Sequence, residues 1–174
     1  MRTRRDQGFT LIELLIVVAI IGIIAAIAVP GLMRARMSGN EASAIGSMRA
    51  INSGQATYAS SAASGGYATS LTILGTRCGA TGEGFVSPDL GAAVGGVKSG
   101  YTVAIAAGVG AVPGPLDCNG VASQTTYYTT AIPVTLGGTG QRSFASNQAS
   151  TIYAVTGVVP PVDPGGFVAA NAIQ

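Results

Sequence analysis

Residues 8–30 read GFTLIELLIVVAIIGIIAAIAVP, and the reading of this stretch decides the fold. From Leu14 to Met33 twenty residues carry no charged or strongly polar side chain. At ~1.5 Å rise per residue a helix of that length measures ~30 Å, the depth of one hydrocarbon core. Arg2, Arg4 and Arg5 precede the run, which predicts an N-terminus kept in the cytoplasm. The run is too long for an ordinary secretory signal, and no A-x-A-like cleavage site follows it. One residue disturbs the pattern. Glu13 sits near the start of the span, where an isolated carboxylate is expensive.

Beyond the span the helical pattern continues to about residue 63. Met37, Ile45, Met48, Ile51 and Tyr58 recur at helical spacing on one face. Arg36, Glu41, Asn52 and Gln55 fall largely off it. A continuous helix over 9–63 would measure ~80 Å, more than a small domain spans, so its first half is expected to project. Gly22 and Pro30 lie in that half. Proline removes a backbone hydrogen bond and crowds the preceding turn, so a kink or flexible point is expected at Pro30.

After residue 63 the composition changes. SAASGGYATS (61–70) marks a loop, Leu71 to Ile73 begins a short element, and residues 75–100 are rich in turn formers. Strand signals follow. Tyr101, Val103 and Ile105 alternate with small residues, and Thr126 to Val134 alternates through Tyr128, Thr130 and Ile132. Arg142 to Ala145 and Thr151 to Val155 flank SNQA as a hairpin. The tail from Val158 is expected to be a surface loop or frayed end. The predicted fold is α+β, a long N-terminal helix packed on a small antiparallel β-meander. Its parts are a leader at 1–8, an apolar helical half at 9–36, an amphipathic half at 37–63 and a globular domain at 64–174.

Composition excludes several functions. The net charge of +2 is supplied by the leader; from Phe9 onward basic and acidic side chains balance. No basic surface for nucleic acid is implied. There is no histidine, which removes imidazole catalysis and His-ligated metals. GAAVGGVKS (91–99) misses the phosphate-loop pattern because Val97 intervenes before the lysine. GVGAVPG (108–114) lacks the third glycine of a dinucleotide fingerprint. Glu83, Asp89, Asp117 and Asp163 are scattered, so spacing reveals no calcium site. Neither an enzyme nor a cofactor is expected. Cys78 and Cys118 would pair in an exported domain; two buried free thiols are the alternative.

Glu13 has two readings. It either reaches the headgroups or takes a proton, or it awaits a cation from a partner. No lysine or arginine lies between residues 6 and 33, so this chain supplies none there. A cut between Gly8 and Phe9 would create one, the new α-amine of Phe9. A neighbouring copy shifted by about a turn would bring that amine beside Glu13. Charge pairing in a low dielectric then selects one stagger among many apolar packings, and a staggered contact that does not close generates a filament.

The basic leader ending in Gly8, then Phe9, Glu13, an apolar span and Pro30, resembles the class III signal of type IV pilins and of the pseudopilins of type II secretion. That resemblance implies cleavage after Gly8 by a prepilin peptidase, N-methylation of Phe9, and assembly guided by Glu13. It implies that the helix loses order around Gly22 to Pro30 in the filament. It also implies an inner-membrane assembly platform and an external ATPase as partners. The subunit would be single-pass in the inner membrane before assembly, and in a surface pilus or periplasmic pseudopilus afterwards. Pilins of this kind usually close a disulfide loop near the C-terminus, whereas here 56 residues follow Cys118. The expectation is a pilus subunit. The alternatives are a major pseudopilin and, from a different class, an uncleaved membrane-anchored binding protein.

Overall fold

The structure, a computed structural model, describes residues 9–79, 82–91, 96–161 and 171–173. Helix α1 runs over Leu11–Ser61, with Pro30 inside it. The chain divides into two compact units, one ending at Arg36 and one comprising Met37–Gln174.

In the first unit, every described side chain from Phe9 to Arg36 is exposed. Leucine, isoleucine and valine cover the helix on all sides, including Leu14, Ile20, Ile24, Ile27 and Leu32. A helix apolar all round belongs in a core or in lipid. By length and composition α1 can cross a membrane, and its backbone groups satisfy one another as a span requires.

The second unit is built on the rest of α1. Ala44, Ser47, Met48, Ile51, Asn52, Gln55 and Tyr58 are buried, spaced three and four apart as one helix face requires. Asn52 and Gln55 were expected to lie largely off this face. Gln55 is fully buried and Asn52 nearly so, because each finds partners. Gln55 Nε2 donates to the Ala68 carbonyl at 2.6 Å, and its Oε1 accepts from Ala68 N–H at 2.9 Å. Asn52 Nδ2 donates to Ser146 Oγ at 3.0 Å and to the Ser150 carbonyl at 3.1 Å, while its Oδ1 accepts from Tyr127 Oη–H at 3.0 Å. Buried amides are tolerated when paired in this way.

Two short helices, α2 (Leu71–Gly75) and α3 (Pro88–Gly91), follow α1. Ser70 caps α2, its Oγ accepting from Ile73 N–H. The strands are β1 (Val97–Lys98), β2 (Tyr101–Ala107), β3 (Pro113–Leu116), β4 (Ala122–Gln124), β5 (Tyr127–Pro133), β6 (Arg142–Asn147), β7 (Tyr153–Thr156) and β8 (Asn171–Ala172). Six form one antiparallel sheet in the order β1-β2-β5-β6-β7-β8, with β3 and β4 paired separately. The meander therefore carries an inserted hairpin between β2 and β5. Alternation places Tyr101, Val103, Ile105, Tyr127, Ala131 and Phe144 in the core with Met48, Ile51 and Tyr58.

Three features depart from the sequence reading. The turn-rich stretch before residue 101 contains α3 and β1. The β3–β4 hairpin was not foreseen; it docks on the loop after α1 through a Tyr67–Gln124 bridge, where a Cβ on Gly66 would overlap Ser123 Oγ. The tail is not merely a loop, since β8 pairs with β7 at Tyr153 and Ala154. Pro160 and Pro161 lie outside any strand, as proline's missing N–H favours, and the tail between 162 and 170 lies outside the described residues.

Cys78 and Cys118 form a disulfide, with Cα atoms 5.6 Å apart and a sequence separation of 40. In the chain-entropy picture a loop of that length is stabilised by ~4 kcal/mol. The turn bearing Cys118 has its own supports. Asp117 Oδ1 accepts from the N–H groups of Asn119 and Val121, and Oδ2 accepts from Tyr58 Oη–H at 2.8 Å. Burial and this carboxylate push the Tyr58 phenol above its ordinary pKa.

Candidate assembly segment

The N-terminus of α1 is fixed by residues 10–13. Thr10 is its N-cap, and its carbonyl accepts from Leu14 N–H at 3.3 Å, the opening bond of the helix. Thr10 Oγ1 accepts from Glu13 N–H at 3.3 Å, and Glu13 Oε2 accepts from Thr10 N–H at 2.9 Å. Thr10 Oγ1 also donates its proton to Oε2 at 2.6 Å. This reciprocal arrangement is a capping box. It satisfies backbone donors that a helix start otherwise leaves unpaired, and a carboxylate there complements the positive end of the helix dipole.

Glu13 is thus neither buried nor idle. It is exposed, and Oε2 takes both bonds from Thr10. The side chain thus holds its own helix start with Oε2, and among the described residues no donor is bonded to Oε1. Phe9, 82% exposed, precedes the cap outside the helix. Gly8, the residue before the expected cut, lies outside the described residues. Glu13 is bonded to Thr10 rather than to Phe9, so the structure does not join the two expected assembly residues within one chain.

Gly22 and Pro30 lie farther along α1, ~13 Å and ~25 Å from Glu13 by helical rise. Apart from the adjoining residues and the local helix backbone, nothing lies within 4 Å of where a Gly22 Cβ would sit. The helix continues through Pro30, whose ring nitrogen offers no proton to the carbonyl one turn back. Among the described residues no three histidine, cysteine or acidic side chains converge as metal ligands. The capping box was overlooked in the sequence, although its signal is local: Thr10 and Glu13 stand three apart directly before an apolar run.

Residues 3–29 match the family model of the prokaryotic N-terminal methylation motif. The chain is 45% identical over 54 residues to the type IV major pilin protein PilA of Myxococcus xanthus, covering 31% of this chain and 24% of that protein. It is 58% identical over 38 residues to the type IV wide pilus major component PilA4 of Thermus thermophilus, covering 22% of this chain and 29% of that one. The chain thus spans about a quarter of the length of these curated relatives. No solved structure matches it. The methylation motif, the apolar helix and this likeness fall in one segment, and through that N-terminal segment the chain is similar to type IV pilins.

Proposed function

We propose that the chain is a structural subunit of a type IV pilus, processed between Gly8 and Phe9 and assembled through the apolar half of α1. The observation that carries this reading is Glu13, the only acidic residue between Phe9 and Asn40, at the start of an exposed apolar helix within a methylation motif. An apolar helix without a preferred face can slide and rotate against its copies. A charge that must meet an opposite charge fixes one stagger. The Phe9 amine of a neighbour supplies that charge, and Glu13 Oε1 has room to accept from it while Oε2 retains the cap. Methylation would leave the amine basic and reduce the number of its donors.

On this reading the unassembled subunit sits once across the inner membrane with its N-terminus in the cytoplasm. A prepilin peptidase removes the leader, and a platform with an external ATPase moves the subunit into the filament. The subunit is no enzyme and uses no cofactor. Its globular domain is the part left to face outward. The two relatives are pilus components by name, which favours a pilus over a pseudopilus.

The test is made in cells that assemble the protein. The mature chain should begin at Phe9, and Glu13→Gln should leave membrane insertion and the disulfide intact while lowering sheared surface filaments at least tenfold. Wild-type filament yield from Glu13→Gln would sink the pairing model. A chain purified with Met1 intact would point to a permanent anchor. Loss of protein secretion on deletion, with no surface filament, would point to a pseudopilus.

A further inference from the structure

The far end of the span carries charge that the assembly reading leaves unused. Arg34 and Arg36 follow Met33 directly. Both are exposed, and among the described residues neither joins an ion pair, while Lys98–Asp89 and Arg142–Glu41 pair elsewhere in the chain. Two residues apart on an α-helix lie ~200° apart around its axis, so the two guanidinium groups leave the helix on nearly opposite sides. That disposition suits a surface surrounding the helix better than a partner on one face. Their place is set by length. Twenty uncharged residues at ~1.5 Å each bring Arg34 to the headgroup level when the start of the span lies at the other surface.

We infer that Arg34 and Arg36 form a basic collar that binds anionic phospholipid headgroups on the non-cytoplasmic face of the membrane, an inference that rests on the membrane stage of the proposed function. Phosphate oxygens accept from guanidinium in paired, charge-assisted bonds, and long side chains at a span's end reach such groups readily. Processing would sharpen the role. Removing residues 1–8 takes away Arg2, Arg4 and Arg5, while Glu13 and the new amine balance each other. The collar then carries the remaining net charge next to the span, at the end opposite the one the leader held. It resists extraction until the subunit enters the filament, where the collar leaves the lipid.

The test uses the chain purified from membranes and reconstituted in phosphatidylcholine bilayers containing phosphatidylglycerol. Spin-labelled lipids report which species lie against the protein. Phosphatidylglycerol should be enriched over phosphatidylcholine, by up to roughly fivefold for each arginine. R34Q/R36Q should lose that share of the enrichment, and 1 M salt, with its ~3 Å screening length, should suppress it in the wild type. Equal enrichment in wild type and R34Q/R36Q, with both inserted, would overturn the collar while leaving the filament reading intact. A chain that floats with neither neutral nor anionic vesicles would overturn the membrane stage and the collar together.

Discussion

Met33 and Met48 are the same side chain on the same helix, yet one is 51% exposed and the other fully buried. The sequence around each explains the difference. About Met48, small residues sit where the helix must come close to other chain segments: Ala44, Ser47 and Gly54 are all buried, and a Cβ on Gly54 would collide with Phe85. Exposed positions such as Arg49, Ser53 and Thr57 define the opposite side. Around Met33 there is no such division, because bulky aliphatic residues occupy every side back to Leu11. A helix with one apolar face specifies where it packs. A helix apolar all round specifies only that it avoids water, and leaves its orientation to something else. In the first half of α1 the sequence holds one acid, Glu13, which the proposed function gives that task.

Truncating a large side chain in each region gives the widest separation. Phe144→Ala should destabilise the globular domain by about 3–5 kcal/mol, read as a fall in its thermal midpoint. Its ring is fully buried, 5.8 Å from that of Tyr101, with the Arg142 guanidinium carbon 5.5 Å from its centre. Ile23→Ala, at a position 64% exposed, should leave the same midpoint within about 0.5 kcal/mol. Equal effects from the two would break the division between the regions.

Polar burial on α1 offers a finer test. Gln55→Ala removes both partners of the Ala68 peptide group, and leaving such groups unpaired in the core costs about 1–3 kcal/mol each. Gln55→Glu should also destabilise, because a carboxylate oxygen cannot donate to the Ala68 carbonyl. A thermal midpoint unchanged by both substitutions would mean that the amide is incidental to the core.

Gln55 also marks how far the sequence could be read. Hydropathy alone separates the two halves of α1, since a membrane-length apolar run and an amphipathic face are both local patterns. Strands β2 and β6 were legible from alternation and turn residues, whereas β5 was located with its faces exchanged: Tyr127, Thr129 and Ala131 are buried, and Tyr128, Thr130 and Ile132 only half-buried. The polar part of the helix face was not. Nothing local distinguishes Gln55 from a solvated glutamine, because its partner is the backbone of Ala68 beyond the end of the helix. Strand β8 was hidden for a similar reason: two residues carry no periodicity, and their pairing with β7 is long-range. At the candidate site Glu13 stood out as a misplaced charge, whereas its bond to Thr10 needed only the T-x-x-E spacing. The partner proposed for Glu13, the amine of a second copy, could not be seen in a single chain.

The smallest effect belongs to Glu41, whose carboxylate, unlike that of Glu13, is already fully engaged. Its Oε1 accepts from the N–H groups of Gln141 and Arg142 at 2.9 and 3.3 Å, and Oε2 accepts from Arg142 Nε at 2.9 Å with Nη2 at 2.7 Å. Burial pushes this carboxyl up, but the bonds from Gln141 and Arg142 and the guanidinium charge outweigh it, so its pKa lies below the ordinary value. A carboxyl with a lower pKa folded than unfolded stabilises the folded state above the unfolded pKa. That contribution is lost as pH falls from the ordinary glutamate range through the lowered folded value. Arg142 is partly exposed, so screening limits the contribution to about 0.5–1 kcal/mol. Glu41→Gln should flatten this part of the acid limb of the domain's stability–pH curve while leaving the fold intact, as followed by thermal melts through the acid range. An unchanged acid limb would show that the clamp's backbone hydrogen bonds, which a glutamine oxygen can still accept, carry its stabilisation without the charge.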